Sequence, residues 1–314
     1  MPGYSVRQQG IFAEIEAVSG TAETIVAADA LLIENLTFNP AESMRMIERN
    51  SINSSLNPRK SIYGGSLLGF QFDVELKGSG TAGTAPQALG DLLRACALSE
   101  TIVAVTSVTY APLSDLSLHE SATIALRQGS NYRIARGCRG NVSFKFPTGD
   151  ICKAHFNMVG HIQSEAQTAA PTPTFQAGTP PAFIDVAFTV AAAEFPIAEL
   201  ALDLQNKISI APDPNATQGF GEVRVTGRTS QLTLDPEDQG ISTKDWVGIM
   251  RAGTSQAVAT GTVGGTAGNR FALSVPLAYE RQLAFADREE LVIAQITMGC
   301  EDTNGTNDLA LAFT

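Results

Sequence analysis

Along residues 69–77, GFQFDVELK, apolar and polar positions alternate without a break: Phe70, Phe72, Val74 and Leu76 on one side, Gln71, Asp73, Glu75 and Lys77 on the other. A period of two predicts a strand with one packed and one wet face. GEVRVTGR (221–228) repeats the arrangement more briefly, with Val223 and Val225 set against Glu222, Arg224 and Thr226. Each strand runs to a glycine, Gly78 or Gly227, and then to a loop that leads into a short helical pattern.

The two helical patterns echo each other. GDLLRACALSET (90–101) and WVGIMRAGTSQAV (246–258) share Arg-Ala, an apolar pair before it (Leu92-Leu93, Ile249-Met250), and a following Ser with Glu or Gln. Further on, GDICKAHFNMVG (149–160) aligns with EELVIAQITMGC (289–300), matching Ala154 with Ala294 and Met158 with Met298. The order strand, helix, strand recurs at offsets of 149 (Gly78 to Gly227), 157 (Arg94 to Arg251) and 140 (Met158 to Met298) residues. Matches in the same order predict internal duplication with unequal loops.

Between the halves, SEAQTAAPTPTFQAGTPPA (164–182) carries four prolines and a glycine without strand alternation, and reads as a semi-extended linker. After it, FIDVAFTVAA and ELALDLQNKISI open the second half with strands. In RFALSVPLA (270–278), Phe271, Leu273, Val275 and Leu277 share a face, while Pro276 lacks the amide proton of a central strand and predicts an edge or a bulge. Residues 40–66 fit neither strand nor helix throughout and concentrate Arg45, Arg49, Arg59 and Lys60, so they read as a long loop. As a solvated loop they need no role; as an arm they would reach an acidic neighbour.

Composition narrows the class. At 314 residues the prior is two domains, each with its own core. Charged residues are only 17%, and the abundance of Ala, Gly, Thr, Ser and Val suits a mainly β chain of short strands and many turns. A formal charge of −11 argues against gripping nucleic acid, which needs clustered Lys and Arg. The four cysteines have no metal or disulfide spacing, and neither a signal peptide nor a membrane-length apolar run is visible, so a soluble, unexported chain is expected.

Candidate chemistry is weak. GSGTAG (78–83) satisfies G-x-G-x-x-G, but the strand before it is wet on one face and Pro86 separates the glycines from the helix, which argues against a dinucleotide site. His119, His155 and His161 lack ligand spacing. Asp235, Glu237 and Asp238, and Asp302, Asn304 and Asp308, fit acidic turns better than a calcium loop. Neither a cofactor nor a catalytic set is expected. A carbohydrate-type binding module would show clustered exposed aromatics, and one Trp with five Tyr gives it little support.

The chain resembles a siphophage tail tube protein (major tail protein) of the two-domain kind. The resemblance is carried by FAEIEAVSGTAET (12–24), LLIENLTFNPAESMRMIERNSINSSL (31–56), FDVELKGSG (72–80) with LLRACAL (92–98), YAPLSD (110–115), GCRGNVSFKFPTGD (137–150), GNRFALSVPLAYE (268–280) and DLALAFT (308–314). It implies an N-terminal arm (1–30), a first tail-tube β-sandwich domain (31–163), the Pro-rich linker (164–182) and a second such domain (183–314), each domain with a short helix. It also implies a homo-oligomer in stacked rings, three chains giving pseudo-sixfold form, around a lumen that conducts viral DNA. The partners implied are a tape-measure protein and tail terminator and distal tail proteins; the place is the virion tail, assembled in the bacterial host cytoplasm. The inner tube of a contractile tail or secretion machine is a related alternative. Within this reading Arg45, Arg49, Arg59 and Lys60 are candidates for inter-ring contact, and Asp73, Glu75 and Glu222 for an acidic lumen wall.

Overall fold

A computed structural model of the chain describes residues 5–52, 56–301 and 308–314. The first half contains β1 (Gln9–Ile15), β2 (Ala30–Leu31), β3 (Ile33–Glu42), β4 (Met46–Arg49), β5 (Arg59–Tyr63), β6 (Leu67–Glu75), α1 (Gln87–Ala95), β7 (Leu98–Val103), β8 (Ser107–Pro112), β9 (Ala122–Gln128), β10 (Asn131–Pro147) and β11 (Lys153–Gln167). The second contains β12 (Thr189–Val190), β13 (Ala193–Glu194), β14 (Glu199–Asp203), β15 (Lys207–Pro212), β16 (Phe220–Gly227), β17 (Gln231–Leu234), α2 (Trp246–Ala252), β18 (Gln256–Ala259), β19 (Phe271–Arg288), β20 (Leu291–Cys300) and β21 (Ala310–Phe313). The protein is mainly β, as its composition predicts.

Pairing repeats from half to half. In the first, β2 lies beside β1, β1 beside β9, β9 beside β10, β10 beside β11, β11 beside β6 and β6 beside β3. In the second, the corresponding series is β13, β12, β18, β19, β20, β17 and β14. Between β3 and β6 the chain leaves the sheet as the β4–β5 hairpin, and between β14 and β17 as the β15–β16 hairpin. The strand equivalent to β6 is therefore β17, not the GEVRVTGR strand, which is β16. Both alternate because β16 also packs one face, Val223 and Val225, against the body of the protein.

Two joints fuse the halves. Residues 143–147 of β10 pair with 203–199 of β14, so the sheet runs unbroken as β3-β6-β11-β10-β14-β17-β20-β19. On the other layer β21, near the C-terminus, pairs with β8. One apolar core crosses both joints: Phe146 lies 6.2 Å from Phe271, which lies 6.1 Å from Phe313, and Phe313 meets Tyr110 edge-on at 6.0 Å. The two halves are thus parts of one continuous body.

Both helical echoes are helices, but they are buried differently. α1 buries Leu92 and Leu93 completely, whereas in α2 only Trp246 is buried and Met250 is exposed. The expected linker also shifts, because residues 164–167 belong to β11, paired with 134–131 of β10. Beyond them the extended chain is tied down: buried Lys77 donates to the carbonyls of Gln176 and Gly178, and Gln176 donates to the carbonyl of Gly78. The expected irregularity at Pro276 is present, since the β18 register jumps between Ala278 and Val275.

The glycine motifs have a structural reason. Gly80 N–H donates to the Gly268 carbonyl at 2.9 Å, and a Cβ on Gly78 would stand 2.2 Å from that same oxygen. GSGTAG and a second glycine-rich stretch, GTVGGTAGN (261–269), are the two sides of a backbone-to-backbone contact between the halves, where side chains do not fit.

Candidate assembly interface

Three surfaces of this body could carry function: the wet face of the long sheet, its two outer edges, and the hairpins and turns at its ends.

On the wet face, Asp73 and Glu75 of β6 stand opposite His155 and Lys153 of β11. Their row continues through Ser143 and Lys145 of β10 to Asp203 and Ala201 of β14, then to Gln231 and Thr233 of β17. Acidic groups are thus interleaved with bases: Lys153 binds Glu34 at 2.7 Å, and His155 Nδ1 is 2.5 Å from Asp73 Oδ1. Burial alone would raise the Asp73 carboxyl, but hydrogen bonds from Asn35 and His155, with the charges of His155 and Lys153, hold it below its ordinary value. The second half of the face is largely neutral, with Thr297 and Gln295 on β20 and Gln282 and Ala284 on β19.

Glu222 does not join that face. It lies on the β15–β16 hairpin, where Arg139 Nη1 donates to it at 2.5 Å and Ser19 Oγ at 3.1 Å. Desolvation opposes its charge, yet the Arg139 hydrogen bond and charge, then Ser19 and Arg224, hold its carboxyl below the usual range. Arg139 is almost fully buried and also donates to the carbonyls of His119, Glu120 and Val223. It pins the second-half hairpin to the first half. The sequence reading missed it; its one signal was a charge inside an otherwise packed run, GCRGNVSF.

The edges differ from the interior in what they cover. β3 pairs only with β6, and the stretch 282–288 of β19 pairs only with β20, among the described residues. The equivalent stretch of β10 is covered by β14. Phe144 on β10 faces Ala154 of β11 and is buried; Phe285 on β19 faces Ala294 of β20 in the same way, yet is half exposed. It lacks the strand that covers its counterpart.

Residues 40–66, expected as a loop, include the end of β3 and the β4–β5 hairpin. Polar residues and the absence of a compact turn signal obscured it. Arg45 is engaged within the chain, its guanidinium 3.9 Å from the Phe220 ring centre and donating to the Gly219 carbonyl. Tyr63 Oη donates to Gln218 Oε1 at 3.0 Å, so the two hairpins lie against each other. Arg49, Arg59 and Lys60 are exposed and in no ion pair among the described residues.

A phage tail tube protein family model matches residues 7–298, nearly the whole chain. The chain belongs to the phage tail tube protein family. A structural subunit of a viral tail, located in the virion and assembling into a tube, accounts for a chain whose conspicuous surfaces are sheet edges and hairpins. No curated protein matches it. Among the described residues no group of three or more His, Cys, Asp and Glu side chains is placed to hold a metal, and no helix is long and apolar enough to cross a membrane. His119 and His161 bind the carbonyls of Leu113 and Gly221. Asp235 and Glu237 pair with Arg288, and Asp308 with Arg228, while Asp302 and Asn304 lie outside the described residues.

Proposed function

We propose that three copies of this tail tube subunit close into a ring by joining the free edge of β19 on one copy to the free edge of β3 on the next. The observation that carries this reading is the internal β10–β14 joint, for which β19 and β3 are the unused equivalents. Leu202 faces Leu232 in β17 as Phe38 faces Phe70 in β6, so the register follows. Phe285 would lie opposite Phe38, Ala286 opposite Thr37 and Arg288 opposite Asn35. A chain with two tandem repeats gives a pseudo-sixfold ring.

The dimensions agree with a conduit. Each half contributes four strands to the long sheet, so three chains make a barrel of 24 strands. At about 4.8 Å per strand and a tilt of roughly 40°, its backbone diameter is about 48 Å, and side chains reduce the bore to about 35 Å. This passes a DNA double helix. The wet face lines the bore, with Asp73 and Glu75 from the first half and Asp203 from the second. Its interleaved charges and neutral second half give phosphates no continuous basic track to bind, so DNA slides. Glu222 has no part in this wall. The tape-measure protein fills the bore before DNA, terminator and distal tail proteins cap the ends, and assembly takes place in the host cytoplasm.

Electron microscopy of the purified, concentrated protein tests this. Hollow rings with three- or pseudo-sixfold averages, alone or stacked, are expected. Uniform monomers at high concentration, with the tape-measure protein added, would overturn it.

A further inference from the structure

Each open edge of the long sheet carries a bulge that the internal joint lacks. In β19 the pairing with β20 skips Arg281, between Glu280 opposite Met298 and Gln282 opposite Thr297. In β3 the pairing with β6 slips between Asn39, opposite Gly69, and Glu42, opposite Leu67. β10 and β14 pair without a shift from Ser143 to Pro147, and β10 follows β11 without one from Arg139 to Lys145. A bulge on an edge strand re-aims a side chain, and here each re-aims a charged one.

Strict alternation from Phe285 and from Phe38 would turn Arg281 and Glu42 into the core. The bulges turn both onto the wet face instead, each over a glycine. Gly299 shares its face with Thr297 and Gln295, and a Cβ there would run into the Arg281 guanidinium. Gly69 shares its face with Gln71 and Asp73, and a Cβ there would stand 3.0 Å from Glu42 Oε2. Arg281 donates to Tyr279 Oη at 3.1 and 2.8 Å and lies 5.1 Å from that ring's centre, while Glu42 accepts from Asn39 Nδ2 at 2.8 Å. Arg281 and Glu42 are in no ion pair among the described residues.

The internal joint carries a polar bridge on this same face: Asn141 Nδ2 donates to Asp203 Oδ1 at 2.7 Å, from β10 to β14. The open edges have the charges for one but not the partner strand. Counting from Phe285 opposite Phe38, Ala284 meets Asn39, Gln282 meets Ala41 and Arg281 meets Glu42.

We infer that Arg281 of one copy and Glu42 of the next form an ion pair across each ring joint, on the wall of the bore. This rests on the ring reading above and names the polar contact that accompanies Phe285 on Phe38. The β19 edge thereby accepts a second copy of this chain, recognised by the carboxylate of its β3 bulge. On joining, each side chain leaves its own glycine for the seam, where guanidinium and carboxylate make a charge-assisted contact. Ring closure is then sensitive to salt, which the apolar contact alone would not be. The pair also neutralises an arginine that would otherwise stand bare in the bore and hold phosphate.

The test uses the full chain, with rings followed by electron microscopy and by sedimentation across a concentration series at low and high salt, and urea denaturation as the control for folding. Arg281→Glu and Glu42→Arg should each raise the concentration needed for rings about tenfold, because each sets like charges opposite one another. The two changes together should restore ring formation. Arg281→Gln and Glu42→Gln serve where a reversed charge disturbs folding: each should weaken rings and reduce their salt dependence, and both together should do no more than either alone. Indifference to the reversals, failure of the double reversal to restore rings, or additive neutral changes overturn the inference, while the ring reading, tested separately through Phe285, stands. Rings unchanged by Arg281→Gln, with weaker binding of duplex DNA to tubes, assign the arginine to DNA and overturn it too. Absence of rings in the unsubstituted protein would bring down the reading beneath it, and this inference with it.

Discussion

Replacing Phe285 by Lys tests the ring joint at its most sensitive point. Phe285 is 51% exposed in the single chain, which leaves roughly 100 Å² of an aromatic side chain to be covered when β3 of the next copy arrives. At about 25 cal/mol per Å², that burial contributes about 2.5 kcal/mol per joint, close to a hundredfold in affinity. Lysine forfeits this and places a charge against Phe38, the device by which natural edge strands avoid pairing. The fold itself should tolerate the change to within about 0.5 kcal/mol, because the site is at a solvated edge. Sedimentation across a concentration series, with urea denaturation as the control for folding, reads both effects. Rings forming at the same concentration as in the unsubstituted chain would refute the joint. A destabilised monomer would show that Phe285 already belongs to a packed core.

Other outcomes follow from buried charge. Asp91 on α1 is pushed up to about 7 by burial and by Glu14, against the pull of Arg94 at 3.7 Å. Its proton is held more tightly in the folded state, so the contribution of Asp91 to stability should be full below about pH 4, fall as pH rises to 7 and level off above. At about 1.4 kcal/mol per unit the loss reaches up to about 4 kcal/mol, and Asp91→Asn should flatten the profile in denaturation at pH 5 and 8. Arg139→Met should cost about 3–5 kcal/mol in urea denaturation, since it strands the Glu222 carboxylate and three carbonyls. Glu290→Gly should stabilise the single chain by about 1 kcal/mol by relieving its left-handed backbone, read by urea denaturation.

The mainly β class, the wet and dry faces of β6, both helices and the bulge at Pro276 were legible because each rests on a local period or a single residue's chemistry. Hidden from that reading was everything set by partners distant in sequence. β16 passed for the equivalent of β6 because alternation reports a packed face and says nothing of which neighbour packs on it. The β4–β5 hairpin read as loop because its faces are half exposed and so show no clean alternation. The tight β19–β20 turn was invisible for a different reason: Glu289-Glu290 is poor turn chemistry, and only the flanking pairing imposes it.

Among the candidate site residues, a local signature shows which side of a strand a residue occupies and nothing more. Asp73 and Glu75 were readable as solvent-side positions from the strand period alone. Glu222 has the same signature and a different environment, because a buried arginine 83 residues away claims it. Arg45 likewise shares its composition with Arg49 and Arg59, but lies where an aromatic ring of the other half can stack beneath it. Charge along a sequence identifies the groups that must find a partner; the fold decides whether the partner is in the same chain.

Duplication within one chain bears directly on how a ring could close. Of six equivalent joints in the proposed ring, three form on folding, as the β10–β14 pairing, and incur no further loss of translational freedom. The other three must overcome that loss at each association. An edge apolar enough to make those joints very strong would also drive single chains to aggregate. The chain meets both demands by asymmetry: Phe144 and Leu202 fill the internal joint and are buried, whereas the open edges offer the half-exposed Phe285 on one side and the partly buried Phe38 on the other, with Thr37, Asn39, Ala284 and Ala286 around them. A joint of that kind is weak alone and sufficient when closure makes three at once.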